Sequence, residues 1–191
     1  MGSIHTRSLL VSLAVALSLA LIGCGPPWRV RFASGPPSAL ATVQSIGVSL
    51  DYSQLMMGGQ PEAQWLATQP PDDQASYVDA RAATEQAFME ELAREMAPIP
   101  VQRMTGAESH VLVVSPTFLE MGFYRFIMNR PTEMRAILTF VMAQQPTDEI
   151  EVRATEDATA MQPAIITRMQ RCGQYFARLT SRYVRDAQRA R

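Results

Sequence analysis

Histidine, cysteine, lysine and paired carboxylates build most active sites, and this chain of 191 residues is poor in them: it has two His, two Cys and no Lys, so every Lys/Arg-type cation is Arg. Without lysine there is no Schiff-base amine, no phosphate-loop ammonium and no serine–lysine dyad. His110 is the residue a serine–histidine–acid triad would have to use. It opens an apolar run that reads as a buried strand, and no Gly-x-Ser-x-Gly nucleophile elbow occurs in the sequence. A partly buried, hydrogen-bonded imidazole is the expectation. Asp72-Asp73 and Glu90-Glu91 are carboxylate pairs of the kind a hydrolase uses, but a helix cap and a helix surface account for them. Nor do one His, one free Cys and scattered acids give a zinc spacing, and Asp148, Glu149 and Glu151 form no calcium loop. No catalytic residue, metal or cofactor is expected.

The two cysteines differ in setting. Cys24 closes an apolar run, Leu9 to Ile22, broken only by Ser12 and Ser18 and preceded by a short polar start with one cation, Arg7. A run this short and lightly flanked is the anatomy of an export signal, not of a membrane span. Its last residues, Leu21-Ile22-Gly23-Cys24, resemble the lipobox of bacterial lipoproteins, with an aliphatic residue three before the cysteine and a small one just before it. That resemblance implies a diacylglycerol thioether at Cys24, cleavage by signal peptidase II between Gly23 and Cys24, and acylation of the new amino terminus. Gly25 in place of Asp implies delivery to the outer membrane. Two or three acyl chains hold a protein on a bilayer without any spanning helix, whereas one chain alone is marginal.

Removing residues 1–23 leaves 168 residues, enough for one domain with a real core. His5 and Arg7 leave with that segment, so His110 is the sole histidine of the mature chain, and 16 Arg face 18 Asp plus Glu. The balance argues against nucleic acid as a partner. With Cys24 acylated, Cys172 is the only thiol and no internal disulfide can form. Burial on a helix face is the first reading of Cys172. An exposed redox thiol beside Arg171, or an intersubunit disulfide, is the other.

Residues 24–42 contain Gly25-Pro26-Pro27 and Gly35-Pro36-Pro37 and read as a tether. Within them Trp28, Val30 and Phe32 alternate with Arg29 and Arg31, a pattern that could instead add an edge strand or rest at the membrane surface. The domain is expected over 43–191. Ile46, Val48 and Leu50 mark a first strand ending near Tyr52, and a loop follows with a short helical turn over 62–67 that buries Trp65. Asp72 and Asp73 stand where a helix cap is wanted, ahead of a helix from Tyr77 to Met96 with Phe88, Leu92 and Met96 on one face. Ile99 and Val101 suggest a second strand, and His110 to Leu119 a third. Met134 to Met142 and Ile150 to Ala154 alternate as a hairpin turning through 144–148, with one wet side. Pro163 opens a last helix whose stripe is Ile165, Met169, Cys172, Phe176, Leu179 and Tyr183, with Gly173 permitting close approach to the sheet.

The fold class is therefore α/β (α+β): one two-layer domain with a mixed sheet of about five strands in the order β-α-β-β-β-β-α and two main helices on one face. In this element order the stretch 43–187 resembles bacterial envelope lipoproteins whose small α/β domain is similar to the amino-terminal domain of TolB and to lipoprotein activators of cell-wall synthases.

On the last helix Arg168, Arg171, Arg178, Arg182, Arg185 and Arg189 fall within an arc of roughly 100° at about 100° per residue. Residues 168–191 carry seven Arg and one acid, while residues 51–157 carry 17 acids and seven Arg. The ladder either pairs with acids of its own fold or docks an anionic envelope surface such as lipid head groups, peptidoglycan or an acidic protein. The function expected is a membrane-anchored, non-catalytic binding or accessory module of an envelope assembly. A lipid or glycan carrier for an export system is the alternative, and an enzyme is a distant third.

Overall fold

The computed structural model describes residues 26–34, 39–125, 128–161 and 164–190. Along them run β1 (Trp28–Ala33), a 3-10 turn (Ala39–Thr42), β2 (Ile46–Leu50), β3 (Met56–Met57), β4 (Gln60–Pro61), α1 (Glu62–Ala67) and α2 (Pro71–Met96). There follow β5 (Val101–Arg103), β6 (His110–Glu120), β7 (Phe123–Tyr124), β8 (Asn129–Arg130), β9 (Thr132–Met142), β10 (Gln145–Glu156) and α3 (Ile165–Arg189). The main sheet has the order β1-β10-β9-β6-β2-β5. β2 is parallel to both β5 and β6, and the other neighbours on this path are antiparallel. This is the expected mixed α/β sheet, with one strand more than anticipated on that path because β1 extends its edge.

One face of the sheet makes the core. Ile46, Val48, Leu112, Val114, Ala136, Leu138, Phe140, Ile150 and Val152 are at most 3 % exposed, and they occupy alternate positions of four strands. The stripes Phe88-Leu92-Met96 on α2 and Met169-Cys172-Phe176-Leu179 on α3 cover them. Period two meets period 3.6, and each element buries the side its sequence makes apolar. The opposite face carries Ile137, Thr139, Glu149 and Glu151, all partly exposed, with Arg135 and Arg153 exposed.

Several local expectations are corrected. Residues 28–33 are an edge strand within the stretch expected as a tether, pairing Trp28 with Val152 and Ala33 with Asp148. Farther along that stretch, Leu40 is completely buried. Pro26-Pro27 precedes β1, whose pairing with β10 slips between Val30 and Phe32; Gly35-Pro36-Pro37 lies outside the described residues. α2 begins at Pro71, a proline placed at the first helical position, so Asp72 and Asp73 sit in the first turn against the helix dipole and do not cap it. Trp65 is half-buried, edge-on to Tyr77 at 5.7 Å between ring centres. The β9–β10 turn is Ala143-Gln144, both with φ positive at 49° and 66°, and Pro146 lies inside β10 where the pairing slips by a bulge. Gly173 meets α2, not the sheet: a Cβ there would lie 2.7 Å from the Thr84 carbonyl oxygen. Pro163 falls outside the described residues.

Candidate functional site

Gly23 and Cys24 lie outside the described residues, and the fold bears on them through the strand that follows. Trp28, the first residue of β1, lies four positions after Cys24. Trp28 packs edge-on against Tyr183 of α3 at 5.7 Å, and the Tyr183 hydroxyl donates to Asp148 at 3.0 Å. The root of the chain is thereby clamped between the last strand and the last helix. No helix of the described residues is long and apolar enough to cross a membrane.

The six arginines of the ladder part company. Arg168 is only 1 % exposed; its Nε donates to the Thr132 hydroxyl at 2.9 Å and another nitrogen to the Met121 carbonyl at 3.3 Å, so this residue is a correction to the expected docking surface. Burial lowers its basicity, partly offset by the neighbouring Cys172. Arg171 approaches Glu156 at 4.0 Å, the limit of an ion pair. Arg178 holds Glu91 at 3.0 Å, and Arg185 holds Glu95 at 2.9 Å as well as the Glu95 carbonyl. Arg189 faces Asp186 on its own helix at 3.7 Å. Arg182 is exposed, with no ion pair among the described residues. Two rungs thus clamp α3 to α2. Glu91, read as surface, is 5 % exposed between Arg178 and Arg94, the latter at 2.5 Å. The hydrogen bond from Arg185, with help from Arg94, holds the Glu95 carboxyl below the usual carboxylate range.

His110 is buried and staples a loop. Its Nε2 lies 3.2 Å from the Ala39 carbonyl and its Nδ1 3.0 Å from the Ser109 hydroxyl. With Nε2–H donating to Ala39, Nδ1 is an acceptor, and the single Ser109 hydroxyl proton serves either Nδ1 or the Ser45 carbonyl, both 3.0 Å away. This is a nucleophile beside a base in form, yet Ser109 Oγ also receives the backbone N–H of Ser45 at 3.1 Å and bonds the Ser45 carbonyl at 3.0 Å. Those contacts tie strand β6 to the segment before β2 and engage the hydroxyl. Burial depresses the imidazole's affinity for a proton. Cys172 is fully buried, and burial, with Glu156 adding to it, pushes its thiol up to about 12. A thiol this inaccessible is inert packing.

Sequence reasoning missed one polar cluster. The Arg81 guanidinium lies 3.5 Å from the Tyr52 ring centre, 2.9 Å from Glu62 and 3.3 Å from Glu85, while Tyr77 donates to Glu62. Burial, reinforced by Glu85 at Tyr52 and by Glu62 at Tyr77, keeps both phenols protonated far above their usual range. The i,i+4 spacing of Arg81 and Glu85 was the visible half of this network; the half from α1 was too far along the chain to see. It fastens α1 onto α2.

Cavities are modest. A shallow depression of about 500 Å³ on the open sheet face is lined by Arg29, Arg31, Thr117, Ile137 and Glu151. A cleft of about 160 Å³ lies between Trp65 and Phe123. The apolar space between the helices and the sheet, at Phe88, Val114 and Phe176, is about 20 Å³. Among the described residues no three His, Cys, Asp or Glu side chains gather as a metal site.

No protein-family model matches the chain, and no curated protein sequence matches it. Solved structures do. A PelC dodecamer from Paraburkholderia phytofirmans is similar with TM-score 0.43 and 11 % identity, over 81 % of this chain and 96 % of that one. A DUF330 protein from Xanthomonas campestris is similar with TM-score 0.44 and 11 % identity, over 83 % and 93 %. A candidate lipoprotein from Caulobacter crescentus CB15 is similar with TM-score 0.36 and 15 % identity, over 76 % and 88 %.

Proposed function

We propose that this chain is a lipid-anchored protein of the bacterial envelope, acylated at Cys24 after cleavage behind Gly23, whose domain works as a non-catalytic binding or accessory module of an envelope assembly. The observation that carries the reading is the sequence Leu21-Ile22-Gly23-Cys24 at the end of a short apolar run. The outer membrane is the proposed address, on Gly25. Fixing β1 to the sheet four residues after the anchor makes the domain a rigid body held near the bilayer.

The non-catalytic reading is supported by what the candidate groups already do. His110 and Ser109 bind loop backbone, Cys172 is packed away, and Glu91 pairs with two arginines. A carrier of a whole acyl chain needs an apolar pocket of about 300 Å³ or more; the cavity at Phe88, Val114 and Phe176 is about 20 Å³, and the depression of about 500 Å³ on the open sheet face is shallow and lined by Arg29, Arg31 and Glu151. An anionic partner surface would engage Arg171, Arg182 and Arg189, since Arg178 and Arg185 already hold acids.

Labelling growing cells with radioactive palmitate tests the anchor. The wild-type chain should incorporate label and sediment with membranes, and Cys24→Ala should do neither. Incorporation that survives Cys24→Ala would refute the reading.

A further inference from the structure

The lipid anchor fixes which end of the domain looks at the membrane. β1 runs antiparallel to β10, with Trp28 opposite Val152. Trp28 lies four positions after Cys24, and Glu156, the last residue of β10, four positions after Val152. Glu156 pairs with Thr132 at the start of β9, and Glu133 pairs with Glu120 at the end of β6. The chain therefore leaves the sheet toward the end where β6 finishes and β9 begins. From that end projects a separate two-stranded ribbon, β7 with β8, and there the loop from β10 to α3 also lies.

Apolar side chains are exposed at this end beside Arg125, Asn129, Arg130 and Asp157. Met128 is 61 % exposed, Phe123 39 %, and Met161 in the loop after β10 93 %. Ile166, in the first turn of α3, is exposed as well. Arg125 stacks its guanidinium over the Phe123 ring at 5.5 Å, and Arg130 pairs with Glu120 at 2.7 Å. Apolar exposure alone does not choose the end, because Met142 at the opposite hairpin is 37 % exposed. The anchor's position does.

We propose that the end of the domain bearing Phe123, Met128 and Met161 docks on the phospholipid surface, apolar side chains at the acyl boundary and Arg125 at the headgroups. The inference rests on the anchor proposed above. Four residues span at most about 14 Å, so once Cys24 is acylated the docking is intramolecular and needs little affinity of its own. Apolar side chains flanked by Arg suit the interface, where burial of a few side chains adds to the acyl chains. With Arg130 largely neutralised by Glu120, and Asp157 exposed nearby, apolar contact drives the docking and net charge adds little.

The test uses the full lipidated chain in vesicles of phosphatidylethanolamine and phosphatidylglycerol. Met128→Cys, Met161→Cys and Met142→Cys are each spin-labelled; Cys172 is buried, so the introduced thiol is the reactive one. Collision with oxygen relative to a water-soluble nickel complex should be several-fold higher at positions 128 and 161 than at 142. Intact mass on the same samples reads the acyl chains independently. Acyl chains present with all three labels equally aqueous would overturn the docking and leave the anchor standing, even if a protein partner were then found to cover that end. Absence of the acyl mass would bring down the anchor and the docking with it.

Discussion

The α2–α3 contact and the β7–β8 end of the sheet are made of the same materials, arginine beside apolar side chains, and use them in opposite ways. Between the helices, Arg178 and Arg185 are matched by Glu91 and Glu95, and Gly173 lets α3 come within backbone contact of Thr84. At the ribbon, Phe123 and Met128 are left in the open and Arg125 finds an aromatic ring. A charge run counted along one helix therefore says little about binding until the facing helix is in place.

The sharpest way to break this comparison is at the helix crossing. Gly173→Val forces a branched side chain onto the Thr84 carbonyl and should cost about 3 kcal/mol in urea unfolding, near the top of the overpacking range; a near-neutral result would show that the helices slide freely. Next comes the pair of surface reversals. Arg178→Glu sets a carboxylate against buried Glu91 and should cost about 2 kcal/mol, below the full buried-pair penalty because Arg94 remains and Arg178 is 39 % exposed. Arg182→Glu should change stability by less than about 0.5 kcal/mol. Equal losses for the two would erase the distinction between clamp and free rung.

The smallest effect is one of pH. Burial keeps His110 neutral in the fold, with a proton affinity below the ordinary histidine value of 6.5. As pH falls through that unfolded value, the unfolded chain takes up a proton that the fold refuses, so stability drops on the acid side. His110→Gln should be less stable than wild type at pH 8 and should lose less between pH 7 and 5.5 than wild type does. Glu95 and Glu133, whose folded affinities are lowered, contribute stability that is lost only below about 4.5, outside this window. An unchanged slope would show that His110 is not the group that titrates.

Much of the fold was legible in the residues because each element declares its period. Met134 to Met142 alternates and is β9; the stripe from Ile165 to Tyr183 is α3. The failures have physical causes. Pro146 looked like a turn because proline breaks ladders, yet a bulge absorbs it while Ala143 and Gln144 take the positive φ angles. Trp28–Ala33 was undecided between tether and strand because six residues between proline pairs carry too few neighbours; the choice is made by β10, more than a hundred residues away. The arginine ladder was legible as a periodicity and not as a set of partners, since Glu91 and Glu95 face it only through the packing of α2. The ribbon's setting at the sheet end toward which β1 leads back to Cys24 depends wholly on strand register, which no local pattern contains.

The most direct trial of the account is the intact mass of the protein purified from the membrane fraction. It should correspond to residues 24–191 with a diacylglyceryl thioether and a further acyl group at Cys24. A mass equal to residues 1–191 with an unmodified thiol would contradict it.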